Sequence, residues 1–103
     1  MFGTVAVLKP KPGQESAVLA HFDHWWKDRA PQTPGALLGT LNRETANPDE
    51  LLLSVVFSSQ KTYEDNANNP EQDKWYRELV AMLEAEPKWI DGQVLGVHCR
   101  GAL

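Results

Sequence analysis

The sequence predicts an α+β fold in which strands and helices follow the order β-α-β-β-α-β. Three observations predict it. The apolar pattern alternates along the chain between a period near two and a period near 3.6. Prolines and glycines fall at the switches. Two strand-like runs, Ala36 to Arg43 and Leu51 to Ser58, are parted only by a short polar stretch, as in a β-hairpin. A length of 103 residues fits one domain, 1–103.

Phe2 to Lys9 reads as the first strand, and both of its alternating sets are fairly apolar. Pro10-Lys11-Pro12-Gly13 stops it, because proline cannot donate to a ladder. From Gln14 to about Arg29 the pattern is helical: Val18, Leu19, Phe22, Trp25 and Trp26 gather on one stripe, with Asp23 and Lys27 opposite. Pro31, Pro34 and Gly35 end the helix. The hairpin follows, turning at Asn47-Pro48-Asp49. Its second strand is nearly all apolar, which again implies two covered faces. Ser58-Ser59 offers a cap for a short helix to about Ala67. Asn69-Pro70-Glu71-Gln72 offers an Asn cap, a first-turn proline and a capping-box glutamine for a further helix that Pro87 closes. Its stripe is Trp75, Tyr76, Leu79, Met82 and Leu83. Trp89 to Arg100 reads as the last strand, interrupted at Asp91-Gly92. This order is the ferredoxin-like arrangement, an antiparallel sheet with helices on one face. Helices cover one face only, while strands one and three are apolar on both. A second copy of the sheet would bury the other face, so a homodimer is expected.

The net charge of −4 disfavours a nucleic-acid backbone or an anionic membrane as partner. No run approaches the roughly 20 apolar residues that span a bilayer. A single cysteine, Cys99, leaves no internal disulfide and no Cys-based zinc or iron–sulfur site within one chain. With no basic-then-apolar leader at the N-terminus, the expected location is cytoplasmic. Cys99 itself reads as a buried, inert thiol. Arg43 and Arg100 end their strands and suit either a substrate carboxylate or a surface ion pair.

The chain resembles the antibiotic biosynthesis monooxygenase domain family of the dimeric α+β barrel superfamily. The resemblance is carried by Lys9-Pro10-Lys11-Pro12-Gly13-Gln14-Glu15, Thr33-Pro34-Gly35-Ala36-Leu37, Phe57-Ser58-Ser59-Gln60-Lys61-Thr62-Tyr63, Asn69-Pro70-Glu71-Gln72 and Glu86-Pro87-Lys88-Trp89-Ile90-Asp91-Gly92, in that order. It implies a barrel built by two protomers, each with a pocket between sheet and helices. Some members oxidise aromatic polyketides or quinols with dioxygen and neither metal nor flavin, others degrade haem, and many have no known activity. The implied function is thus a cofactor-independent monooxygenase acting on a small aromatic or quinol compound. The alternative is a non-catalytic dimeric module that binds a ligand or acts as a scaffold.

Such oxygenation needs an apolar pocket, a group that favours the phenol's anion, and exclusion of water. Trp25, Trp26, Tyr63, Trp75 and Tyr76 are suited to wall that pocket; the same spacing also suits plain core packing. Asn66 stands about where many members of the family carry a histidine. Its amide can donate to a phenolate or a peroxide but cannot ligate haem iron, which argues against haem degradation. It also suits a simple helix-fraying role. His98, on the predicted last strand beside Val94 and Gly96, is the general-base candidate if that face lines the pocket; an exposed strand histidine is the plain alternative. His21 borders the apolar stripe next to Trp25 and belongs with the candidate pocket residues. His24, three residues on, would share a metal with it only if a third ligand were near, and none is evident, so no metal site is expected.

Overall fold

The computed structural model describes residues 1–101. Its elements are β1 (Phe2–Leu8), α1 (Glu15–His24), β2 (Ala36–Arg43), β3 (Leu51–Phe57), α2 (Gln60–Ala67), α3 (Pro70–Ala81) and β4 (Ile90–Gln93). The four strands form one antiparallel sheet in the order β2-β3-β1-β4. This is the predicted ferredoxin-like α+β arrangement.

Alternation along the strands decides what is buried. Thr4, Ala6 and Leu8 of β1 and Leu51, Leu53 and Phe57 of β3 turn to the helix side and are buried. Val18, Phe22 and Trp25 meet them from the first helical segment, Trp75 and Leu79 from α3, and Leu83 from the bridge just beyond it. The other sheet face is also apolar, as the pattern predicts, and in the single chain it is open. Val5 is 47% exposed, Val7 49%, Leu52 39% and Ile90 59%. Register makes these four neighbours, since Val5 pairs with Ile90 and Val7 with Leu52.

The caps follow the sequence closely. Ser59 Oγ accepts from Thr62 N–H at 3.1 Å, and Thr62 Oγ1 accepts from Ser59 N–H at 3.3 Å, closing a capping box. Gly35 (φ +84°) lets the chain pass under this cap, where a Cβ would collide with the Thr62 side chain. Asn69 Oδ1 accepts from Glu71 N–H at 2.9 Å. Arg43, at the end of β2, makes a two-pronged ion pair with Glu15 at the surface.

Five expectations are corrected. The first helical segment reaches Arg29 as expected, but Trp25–Arg29 is a π turn, and a 3₁₀ turn over Ala30–Gln32 carries the chain through Pro31, the predicted end of the helix. Leu19, placed on its apolar stripe, is 43% exposed. α3 ends at Ala81 instead of running toward Pro87, because the chain beyond it pairs with the segment after β1. Lys11 N–H donates to Met82 O at 2.9 Å and Glu84 N–H to Lys9 O at 2.8 Å. β4 stops at Gln93, where the ladder with β1 ends at Phe2, and residues 94–100 lie outside any strand. Cys99 on that segment is exposed, not buried.

Candidate functional site

A cavity of about 240 Å³ lies between the sheet and the helices, slightly smaller than the roughly 300–1,000 Å³ of drug-sized ligand pockets. β1 and β3 supply its floor through Thr4, Leu53, Val55 and Phe57, and the first helical segment supplies Phe22, Trp25 and Trp26. α2 contributes Tyr63, Asn66 and Ala67; α3 contributes Gln72, Asp73, Trp75 and Tyr76; Trp89 comes from the irregular segment just before β4. Five predicted wall residues, Trp25, Trp26, Tyr63, Trp75 and Tyr76, together with Asn66, therefore meet at one place.

The π turn explains how two consecutive tryptophans both reach it. Ala30 N–H donates to Trp25 O, five residues back, so each residue of this turn rotates less than in an α-helix. Trp25 and Trp26 pack edge to face, with centroids 4.9 Å apart. Trp25 Nε1 donates to Gln72 Oε1 at 2.7 Å, which ties the first helical segment to α3. Gln72 thus serves Trp25, not the capping box that its spacing predicts.

The two tyrosines are held by exposed carboxylates. Tyr63 Oη donates to Asp91 Oδ1 at 3.0 Å. Tyr76 Oη donates to Glu86 Oε1 at 3.0 Å and accepts from Trp89 Nε1 at 3.0 Å. Burial pushes the Tyr63 phenol up to about 12, with the nearby Thr4 hydroxyl opposing the rise and the Asp91 carboxylate adding to it. Burial likewise raises Tyr76, with Glu86 adding to it and the Trp89 donor opposing it. Both phenols are therefore protonated at neutral pH. Because the folded value of Tyr63 lies above the ordinary 10, its contribution to stability is complete below pH 10 and is lost as the pH rises toward 12. Absorbance titration of folded protein should show this phenol ionising near 12, with the step missing in Tyr63→Phe. A normal ionisation near 10 would contradict the burial of this ring.

Two polar atoms in the lining are buried without a well-formed hydrogen bond: Asn66 Oδ1, which has no partner, and Thr4 Oγ1, which lies near the Tyr63 hydroxyl but in poor geometry for a bond. Thr4 is a residue that sequence reasoning missed. Its signal was the alternation of β1, which places it on the same face as Ala6 and Leu8 and makes it the polar member of a buried set. Gln72 and Trp89 were also missed as site residues.

His98 and His21 do not join the cavity. His98 is exposed on the segment beyond β4, where it lies against Gly96, because β4 ends before reaching it. His21 instead clasps the two long helical segments together. Its ring stacks on Trp75 with centroids 4.5 Å apart and planes 7° from parallel. Its Nε2–H donates to Trp75 O at 2.9 Å, and Trp75 Nε1 donates back to His21 O at 3.2 Å. His24 pairs with Asp28 at 2.6 Å, away from His21. Among the described residues, no three His, Cys, Asp or Glu side chains gather as metal ligands. None of the described helices is long and apolar enough to cross a membrane.

No protein-family model matches the chain, and no curated protein matches it. Solved structures do. A candidate antibiotic biosynthesis monooxygenase from Chloroflexus aurantiacus is 19% identical, with a TM-score of 0.75 over 97% of this chain and 98% of that one. Another, from Caulobacter crescentus, is 15% identical with a TM-score of 0.79, covering 92% and 90%. A protein of unknown function from Nitrosomonas europaea is 15% identical with a TM-score of 0.75, covering 98% and 95%. The chain has the fold of the proteins named antibiotic biosynthesis monooxygenases.

Proposed function

We propose that the chain is a monooxygenase-like protein that binds a small aromatic or quinol-type compound between its sheet and helices, using neither metal nor flavin. The observation that carries this reading is the cavity's make-up. Aromatic rings form most of its walls, and Thr4 Oγ1 and Asn66 Oδ1 are buried in it without well-formed hydrogen bonds. A buried polar atom left unpaired costs about 1–3 kcal/mol. Two at one cavity are accounted for by a ligand that brings hydroxyl groups to them, donating to Asn66 Oδ1 and pairing with the Thr4 hydroxyl. The names carried by neighbours of the same fold support the same class of chemistry.

On this reading the rings stack against the ligand and keep water out, while the Asn66 amide and the Thr4 hydroxyl hydrogen-bond its oxygen atoms. Donation from the Asn66 Nδ2–H and the Thr4 hydroxyl favours the ligand's anion. The ligand's own acidity supplies the ionisation, since both wall tyrosines hold their protons, and the proton lost to solvent is regained when the peroxide forms. The anion gives electrons to dioxygen and a C–O bond forms. The hydroperoxide then eliminates water to leave a carbonyl. An activated methylene loses two hydrogens and supplies every electron needed, so one oxygen atom ends in the product and the other in water.

The chain works, on this reading, as a homodimer. The patch of Val5, Val7, Leu52 and Ile90 is the support for it, because an apolar sheet face of this kind is stable in water only when covered. The functional reading is tested by dissolved-oxygen uptake over a panel of quinols, anthrones and haem. Uptake with a quinol or an anthrone, and none with haem, is expected. Saturable binding without uptake of oxygen would make the chain a ligand-binding module instead.

A further inference from the structure

We infer that Gly39 and Trp26 together set the size of ring system that the cavity admits, an inference that rests on the ligand-site reading above. Gly39 lies mid-strand in β2, at the sheet edge, and pairs with Val55, whose side chain lines the cavity. The Gly39 position therefore faces the helix layer. A Cβ built there would sit 2.7 Å from Trp26 Cζ2 and 3.1 Å from both Cε2 and Nε1. Real Cβ atoms essentially never approach that closely, so the Trp26 indole lies against bare backbone.

Conformation does not explain the glycine. Gly39 is not among the positive-φ glycines, which are Gly13, Gly35 and Gly101. A glycine in a strand interior that needs no special dihedral marks a close approach of another group. Here that group is Trp26, half-buried, lining the cavity and packed edge to face with Trp25. The indole is thus a wall whose position is fixed by the missing side chain of a residue outside the cavity lining.

Adding a methyl group at residue 39 forces the indole to move. Movement outward exposes an aromatic ring to water, whereas movement inward meets empty space and keeps the ring buried. Gly39→Ala should therefore narrow the cavity and discriminate against larger ligands.

The experiment is a calorimetric titration of naphthol and of anthrone against four proteins: wild type, Gly39→Ala, Trp26→Phe, and the two changes combined. Gly39→Ala should weaken anthrone binding about tenfold and naphthol binding by less than about threefold. Trp26→Phe alone should shift the preference the other way, and the combined variant should return close to wild type. An anthrone-to-naphthol affinity ratio unchanged in both single variants would overturn the inference while leaving the ligand site standing. Wild-type protein that binds neither compound saturably would instead overturn the site itself, and the inference with it. Thermal unfolding separates the contact from the ligand. The midpoint should fall in Gly39→Ala and recover in the combined variant, and a midpoint that does not recover would contradict the close packing of residue 39 on Trp26.

Discussion

Replacing Trp75 with Ala is expected to lower the unfolding free energy by about 3–5 kcal/mol, the usual cost of truncating a buried tryptophan. Trp75 is 6% exposed and joins nearly every part of the helix layer. It stacks on His21, meets Phe22 edge-on at 5.1 Å and Trp25 at 6.5 Å, and donates from Nε1 to the His21 carbonyl. Truncation removes these contacts together, including the indole's donation to the His21 carbonyl, which keeps only the helical N–H of Trp25. It also opens the wall of a cavity that already exists, so the surroundings have little with which to refill the space. His21→Ala should cost much less, about 1 kcal/mol, because the half-buried imidazole contributes one hydrogen bond and one stacking face. Urea denaturation followed by circular dichroism measures both. A loss below about 1 kcal/mol for Trp75→Ala would show that the helix layer does not pivot on this residue.

Asn66→Ala is expected to cut turnover of any quinol or anthrone substrate about 100-fold, in the range seen when one preorganised hydrogen-bonding group is removed from a reacting oxygen. The same change should scarcely alter the thermal midpoint. Asn66 Oδ1 has no partner within the chain, so truncation breaks no bond of the fold and removes a buried unsatisfied atom. This combination separates a functional asparagine from a structural one. Asn66→Asp is a useful control, since it keeps the shape but sets a negative charge beside the developing anion and should also fail. A midpoint that falls by several degrees with turnover unchanged would assign Asn66 to the fold alone.

Much of this architecture is legible in the residue pattern because it depends on local chemistry. Ser59 and Asn69 cap α2 and α3 where their side chains predict, and the hairpin of β2 and β3 follows from two apolar runs around a polar turn. The aromatic wall is legible as well, since helical spacing brings Trp25, Trp75 and Tyr76 to one side. What the pattern conceals is decided by partners distant in sequence. Val94 to Val97 looks like a strand but has no strand opposite it, so β4 ends at Gln93 and His98 stays outside the cavity. Gln72 has the spacing of a capping-box residue, yet the indole N–H of Trp25, 47 residues away, competes for it and wins. His21 looks like a pocket-rim histidine because its neighbour Trp25 lines the cavity. Its actual role depends on the backbone of Trp75, which helical periodicity cannot reveal. Thr4 is concealed differently: its face is readable, but its lack of a well-formed hydrogen bond emerges only once α2 is placed above it.

All of this rests on a sheet that is apolar on both faces, one turned to the helices and the cavity and the other left bare in a single chain. Light scattering coupled to size exclusion, on the unmodified protein at low micromolar concentration, tests that directly. The predicted result is a single species of about twice the 11.5 kDa chain mass. A stable, soluble species of 11.5 kDa would contradict it, because Val5, Val7, Leu52 and Ile90 would then stand in water without a cover.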